Sequence, residues 1–175
     1  KNANLTPYQK KNTKKNKQIN ILKKYELSFS EFSYLKKYFD KININFLSSP
    51  FDFESALFLN KLKLRYIKIP SGEITNLPLL TLISNFNKNV IISTGMATIK
   101  EIEEAIKIFR KNKKFKKKII VLHCTSSYPT DYKNVNLNTM LTLKEAFKKY
   151  DIEIGFSDHT NSNESAIAAT ALGAT

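Results

Sequence analysis

Short runs of β-branched residues alternate along the chain with longer segments in which apolar residues recur at helical spacing. Five runs predict β-strands, and their starts lie roughly 24 to 33 residues apart, the length of one strand–helix unit. The predicted strands are 42–47, 66–69, 90–92, 119–122 and 152–156. The predicted helices are 30–40, 54–61, 98–111, 138–150 and 163–172. Residues 1–17 lack periodicity and predict a loop or arm.

Two helices have a clear apolar face. In 98–111, Thr98 and Glu101 have the spacing of a capping box. The residues predicted to be buried there are Ile102, Ala105, Ile106 and Phe109, and those predicted to form the face of 138–150 are Met140, Leu141, Leu143 and Phe147. The shorter helix 54–61 presents Leu57 and Phe58.

This alternation predicts parallel strands joined by right-handed crossovers, in an α/β fold. Two architectures fit, an open doubly wound sheet and a (β/α)8 barrel. The chain has four glycines and no G-x-G-x-x-G fingerprint, which excludes the dinucleotide-binding form of the open sheet. Polar clusters follow almost every predicted strand, and this favours the barrel.

Composition narrows the classes of function. The 42% of hydrophobic residues suffices for a packed core, and 175 residues predict one domain. No apolar run approaches the ~20 residues that span a membrane. The single cysteine excludes an intramolecular disulfide and fits a reducing compartment, so we expect a cytoplasmic protein.

The net charge of +14 first suggests a nucleic-acid binder. However, only Arg65 and Arg110 are arginines, and arginine forks are the usual readers of bases and phosphates. Lysines spread over solvated faces are the favoured interpretation, ahead of an anionic substrate and a nucleic-acid surface. The basic run 111–118 is interpreted as cations at a helix C-terminus.

The polar clusters after the strands carry the candidate chemistry. They read SSPFD from residue 48, KIPSGE from 68, STGM from 93, HCTSSYP from 123 and SDHT from 157. In a barrel these strand ends converge on one site. A lysine with hydroxyls and backbone N–H groups suits a phosphate or carboxylate, and a histidine beside a carboxylate suits a metal or acid–base role. His123, which continues a strand, is better interpreted as a hydrogen-bonded core residue, and Cys124 as a small buried one.

The ordered strings FLSSPFD (46–52), IKIPSGE (67–73), ISTGM (92–96), LHCTSSYPT (122–130) and GFSDHT (155–160) closely resemble the sialic acid synthase family. That family comprises N-acetylneuraminate synthase and its legionaminate and pseudaminate relatives. The resemblance covers essentially the whole chain.

The resemblance implies a (β/α)8 barrel that condenses phosphoenolpyruvate with an N-acetylated hexosamine and releases phosphate. A divalent metal, Mn²⁺ or Mg²⁺, would be required, and the full-length protein would be a homodimer with no nucleic-acid or membrane partner. The chain would cover about strands three to seven and lack both the family's antifreeze-like domain and its second metal histidine. An aldolase-like barrel of other specificity and a basic nucleic-acid-binding domain stay open as alternatives.

The same resemblance assigns residues to roles. It implies that Lys68, Glu73 and His159 are catalytic, with His159 also a metal ligand and Glu73 facing the sugar. The residues implied in substrate binding are Ser49, Ser71, Ser93, Ser126, Tyr128 and Ser157. His123 is not a ligand in the family pattern.

Overall fold

Four parallel strands form one sheet in the computed structural model, which describes residues 18–175. The strands are β1 (Tyr66–Ile69), β2 (Asn89–Ser93), β3 (Ile119–His123) and β4 (Glu153–Phe156). They lie side by side in chain order, and every neighbouring pair is parallel. A doubly wound sheet would reverse its order partway, so this winding is that of a partial (β/α)8 barrel, as predicted.

Seven α-helices and two short 3₁₀ helices, Ser71–Glu73 and Tyr132–Asn134, are present in the described residues. The α-helices are α1 (Gln18–Tyr25), α2 (Phe29–Lys41), α3 (Phe53–Lys61), α4 (Leu77–Ser84), α5 (Ile99–Lys111), α6 (Asn138–Ala146) and α7 (Glu164–Ala171). The chain divides into two compact units, one up to Ile44 and one from Asn45 onward. The predicted arm 1–17 lies outside the described residues. No helix in the described part of the chain is long and apolar enough to cross a membrane.

The predicted strand 42–47 is wrong, because its first residues terminate α2. Asn43 has a φ of +55°, in the left-handed region, so the backbone is not extended there. The N–H groups of Asn43 and Ile44 donate to Asp40 and Phe39 carbonyls at 3.2 and 2.9 Å, the bonding pattern of a Schellman motif. Residues 44–50 have no regular secondary structure.

Helix α4 was not predicted from the sequence. Its residues are apolar on nearly every side, so no 3.6-residue pattern distinguishes it from a buried strand. Two local signals mark its start: Asn76 accepts a hydrogen bond from the Leu79 N–H at 3.2 Å, and Pro78 occupies the first turn.

The core lies between the sheet and the helices of the second unit. Alternate strand residues such as Ile67, Val90 and Val121 are completely buried on the helix side. The predicted apolar face of α5 is confirmed, with all four of its residues buried. Leu57 and Leu141 were placed wrongly, since both are exposed while their neighbours on α3 and α6 fill the core.

A polar cluster ties α5 to the segment that follows α6. The Glu103 carboxylate accepts hydrogen bonds from Lys107 at 2.8 Å, from Lys149 at 2.6 Å and from the Tyr150 hydroxyl at 2.9 Å. These bonds, led by that from Lys107, lower the pKa of Glu103 from 4.5 to about 2, because they favour its charged form.

The other face of the sheet is half-buried and carries Lys68. In the strand register Lys68 lies beside Ile91, which lies beside Ile120. In a (β/α)8 barrel this face points inward, so Lys68 occupies an interior position near the C-terminal end of β1.

Candidate active site

The polar loops that follow β1 to β4 lie at one edge of the sheet because all four strands run in the same direction. Two groups of side chains meet within these loops. One surrounds Gly95, after β2, and the other surrounds His159, after β4. The loop after β3, residues 124–130, contributes to both groups.

The loops after β1, β2 and β3 meet at Gly95. Its N–H donates to Cys124 Sγ at 3.2 Å, and Ser71 Oγ lies 3.5 Å from the same sulfur. A Cβ atom at Gly95 would lie 2.5 Å from Ser71 Cβ and 2.7 Å from Ser126 Oγ. Two hydroxyls predicted to bind substrate therefore flank a backbone position with no room for a side chain.

Ser93 supplies a third hydroxyl from the end of β2. The residue is 4% exposed, and its Oγ has no hydrogen-bond partner within residues 18–175. A buried hydroxyl without a partner costs about 1–3 kcal/mol. An acceptor or donor supplied by a bound ligand would recover that cost, which fits the predicted role of Ser93 in substrate binding.

His159 is held in one orientation by the loop after β3. Its Nδ1 donates to the Thr125 carbonyl at 2.6 Å, and the Thr130 N–H donates to the His159 carbonyl at 2.7 Å. Since Nδ1 carries the proton in that bond, Nε2 is left with its lone pair in the neutral ring. This is the arrangement usual for a metal-binding histidine.

The surroundings of Nε2 contain two more predicted site residues. Ser157 Oγ lies 3.4 Å from Nε2, and the Tyr128 ring lies against the imidazole with a centroid separation of 4.3 Å. Tyr128 precedes a cis peptide bond to Pro129 and is 45% exposed. The structure therefore brings Tyr128, Ser157 and His159 together.

A complete metal site is not formed by these residues. Within residues 18–175, no group of three or more His, Cys, Asp or Glu side chains is arranged to hold a metal ion. His159 fits one ligand position by its tautomer and orientation, and the neighbouring Asp158 instead accepts from the Thr160 N–H at 2.8 Å.

Three predicted site residues have no hydrogen bond to either group, and one of them, Ser49, lies outside the loops that follow β1 to β4. Lys68 is half-buried and forms no ion pair with any described carboxylate. Glu73 Oε2 accepts from Asn76 Nδ2 at 2.7 Å, so this carboxylate also supports the start of α4. Ser49 is half-buried in the irregular segment before α3.

Two interpretations of the β3 end are confirmed. His123 is 7% exposed, and its Nε2 donates to the Val135 carbonyl at 2.7 Å, as expected of a hydrogen-bonded core histidine. Cys124 is 3% exposed and has a free thiol. Its sulfur nevertheless contacts both Ser71 and Gly95, a position that sequence alone did not reveal.

Sequence reasoning missed two features that organise the site. Gly95 has a φ of +48°, and the glycine in STGM was a usable signal for a left-handed backbone. The acceptor that orients His159 is the backbone carbonyl of Thr125, which every residue type possesses. No residue-type pattern could have identified it.

The chain is similar to known proteins in both sequence and structure. The model of the NeuB family matches residues 1–175. An N,N'-diacetyllegionaminic acid synthase from Campylobacter jejuni subsp. jejuni is 47% identical over 98% of this chain and 51% of its own length. One of the same name from Legionella pneumophila is 38% identical, with coverages of 87% and 43%. The chain thus spans about half the length of these curated relatives.

A solved structure of the N-acetylneuraminic acid (sialic acid) synthetase from Leptospira borgpetersenii, in complex with citrate, is also similar. It superposes with a TM-score of 0.83 at 37% sequence identity, over 94% of this chain and 56% of that one.

Proposed function

The chain belongs to the NeuB family, and from that membership we propose that a full-length protein carrying it condenses phosphoenolpyruvate with an N-acetylated amino sugar. The product would be a nine-carbon sialic acid, and inorganic phosphate would be released. The observation that carries the proposal is the convergence of Ser71 and Ser126 on Gly95. The unsatisfied hydroxyl of Ser93 lies at the end of β2, two residues before Gly95.

The proposed reaction balances as an addition followed by an elimination. The alkene carbon of phosphoenolpyruvate attacks the aldehyde carbon of the open-chain sugar, and a carbon–carbon bond forms. The aldehyde oxygen takes up a proton and becomes a hydroxyl, and water adds to the cationic carbon that bears the phosphate with loss of a proton. The resulting tetrahedral intermediate breaks its bond from carbon to the bridging oxygen, which leaves with the phosphate, and a keto group remains.

Binding the trianionic phosphoenolpyruvate is the task that we assign to Lys68 and to five serine hydroxyls. Lys68 supplies a charge from the barrel-facing side of β1, and a charged hydrogen bond is worth about 1.5–3 kcal/mol. The hydroxyls proposed to share this task are Ser49, Ser71, Ser93, Ser126 and Ser157. Several fixed donors at the C-terminal ends of parallel strands position such an anion and stabilise its charge during the reaction.

His159 is the one described residue that we propose as a ligand for a divalent cation, Mn²⁺ or Mg²⁺. Such a cation, when bound, supplies Lewis-acid polarisation of a carbonyl oxygen. The role of the chain here is orientation, since the Thr125 carbonyl holds the Nδ1 proton and directs Nε2 away from it. Ser157 and the Tyr128 ring restrict the imidazole on its other sides.

The acceptor sugar is proposed to lie against Tyr128 and Glu73. Tyr128 presents an exposed ring beside His159, and Glu73 presents a carboxylate near the N-terminus of α4. Two of the similar relatives are named as N,N'-diacetyllegionaminic acid synthases. These names favour an acceptor with two acetamido groups over N-acetylmannosamine. A homodimer in the full-length protein remains part of the proposal.

The test is an assay of a full-length synthase carrying these residues. We would supply phosphoenolpyruvate, a divalent cation and either N-acetylmannosamine or a diacetamido hexose, and would measure phosphate release and product mass. We expect phosphate and a nine-carbon acid to form in equal amounts, with turnover faster for the diacetamido sugar.

Two controls separate the proposal from its alternatives. Condensation with pyruvate in place of phosphoenolpyruvate would support an aldolase-like barrel instead. Absence of turnover, together with steeply salt-dependent binding of DNA or RNA oligonucleotides, would support the basic nucleic-acid-binding alternative.

A further inference from the structure

A cleft lies at the N-terminal ends of β3 and β4, opposite the strand ends that carry the candidate active site. Its volume is about 530 Å³, within the range of small-molecule sites. We call it the basic cleft, and its lining residues are Arg110, Phe115, Lys116–Lys118, Ile119 and Asp151–Glu153. None of these residues has a role in the proposed reaction.

The charge of the basic cleft is only partly balanced. Lys118 pairs with Glu153 at 2.5 Å, and the hydrogen bond to that carboxylate raises the pKa of Lys118. Asp151 is fully exposed, and its carboxylate lies 4.0 Å from the guanidinium of Arg110. Lys116 and Lys117 form no ion pair with any carboxylate in the described part of the chain.

Arg110 contributes a hydrogen-bonded guanidinium to the lining of the cleft. Its Nη2 donates to the Asp151 backbone carbonyl, and its Nε is buried with no acceptor within residues 18–175. With four basic and two acidic side chains in the lining, the cleft retains an excess of positive charge.

The loop that carries the lysines is attached to neighbouring elements by one buried aromatic side chain and by backbone hydrogen bonds. Phe115 is 5% exposed and packs edge-on against Phe109, with ring centroids 5.1 Å apart. The Lys116 N–H donates to Asn87 Oδ1 at 2.9 Å, and the Lys118 N–H donates to Asn89 Oδ1 at 3.1 Å. A cation on a fixed backbone loses less entropy when it binds an anion.

We propose that the basic cleft binds a small phosphate-bearing molecule at a site distinct from the active site. The concave shape and the fixed loop favour a small anion over a nucleic acid, which would require a more extended surface. Phosphate suits this lining, because a guanidinium and ammonium groups bind its oxygens through charge-assisted hydrogen bonds. This inference is independent of the proposed synthase reaction.

The test is isothermal titration calorimetry of a full-length synthase carrying this chain, with inorganic pyrophosphate as the probe. The variant Lys116→Glu/Lys117→Glu should weaken pyrophosphate binding at least about tenfold, because it reverses two charges in the cleft. The matched control is Lys113→Glu/Lys114→Glu, which makes the same charge change on the same loop outside the cleft. We expect the control to bind within about twofold of the native protein, because exposed charges that do not line the cleft act on the probe only through screened attraction.

Three outcomes would overturn the proposal. The first is that the native protein shows no saturable binding of pyrophosphate. The second is that all variants bind pyrophosphate equally, which would mean that the probe binds at another site, such as the active site. The third is equal loss in both double variants, which would indicate only general electrostatic attraction. The milder Lys116→Gln/Lys117→Gln variant repeats the test with little risk to folding, since both side chains are exposed.

Discussion

Replacing Gly95 with alanine adds one methyl group at the point where three loops meet. The new Cβ would lie 2.5 Å from Ser71 Cβ, 2.6 Å from Ser71 Oγ and 2.7 Å from Ser126 Oγ. Atoms this close must move apart, so either the backbone or both hydroxyls shift. Gly95 also has a φ of +48°, which alanine adopts at a cost.

The expected size of the effect follows from these two terms. A left-handed backbone costs a residue with a Cβ about 1–2 kcal/mol, and overpacking costs about 1–3 kcal/mol. Gly95→Ala should therefore lower the free energy of unfolding by roughly 2–5 kcal/mol. It should also raise KM for phosphoenolpyruvate, because the displaced hydroxyls are those proposed to bind it.

Two other glycines separate the cost of the left-handed backbone from the cost of overpacking. Gly173 has a φ of +87° and nothing within 4 Å of an added Cβ, so Gly173→Ala tests the backbone term alone. Gly72 is next to Ser71, but its φ is not positive and no atom lies within 4 Å of a Cβ added there. We expect Gly173→Ala to cost about 1–2 kcal/mol, and Gly72→Ala to change stability by less than about 1 kcal/mol.

The measurements are chemical denaturation and steady-state kinetics on a full-length synthase and these three variants. The order of destabilisation should be Gly95→Ala, then Gly173→Ala, then Gly72→Ala, with KM for phosphoenolpyruvate raised only in the first. The reasoning would be refuted if Gly95→Ala were no less stable than Gly173→Ala and bound phosphoenolpyruvate normally.

Three further predictions concern single side chains. Lys68→Ala should raise KM for phosphoenolpyruvate at least about tenfold, as expected for loss of a charged hydrogen bond, and unchanged kinetics would contradict its role. Thr98→Ala should lower the free energy of unfolding by about 1 kcal/mol through loss of the α5 cap with turnover unaffected, and an unchanged denaturation midpoint would count against it. Because the pKa of Glu103 is lowered to about 2, mainly by its bond from Lys107, its stabilising contribution should be complete above pH 4.5 and lost as the pH falls toward 2. Denaturation from pH 6 to pH 2.5 should therefore show a weaker pH dependence for Glu103→Gln than for the native protein, and the exposed neighbour Glu104→Gln provides the control.

The repeating units could be predicted from the sequence because local signals agreed with the final packing. In α5, the capping box of Thr98 and the spacing of its apolar residues both point to the helix that forms. The strand Tyr66–Ile69 was predicted with its observed bounds, and its short apolar run ends at Pro70. The order of strands followed from alternation with helices.

The errors arose where tertiary or backbone interactions decide the outcome. Residues 42–44 have strand-like side chains, yet their N–H groups complete the end of α2. Helix α4 is buried on nearly all sides and shows no amphipathic pattern. At the site, the residue types were identified from motifs, whereas the bond from His159 to the Thr125 carbonyl depends on the fold of two loops.

The central claim is that the chain forms part of a synthase that breaks the carbon–oxygen bond of phosphoenolpyruvate. The most direct test supplies a full-length synthase with phosphoenolpyruvate labelled with ¹⁸O at the bridging oxygen, together with an N-acetylated amino sugar. Mass spectrometry would then locate the label. We predict that the released phosphate carries ¹⁸O and that the nine-carbon acid does not. Unlabelled phosphate, or phosphate release without a sugar product, would contradict the claim.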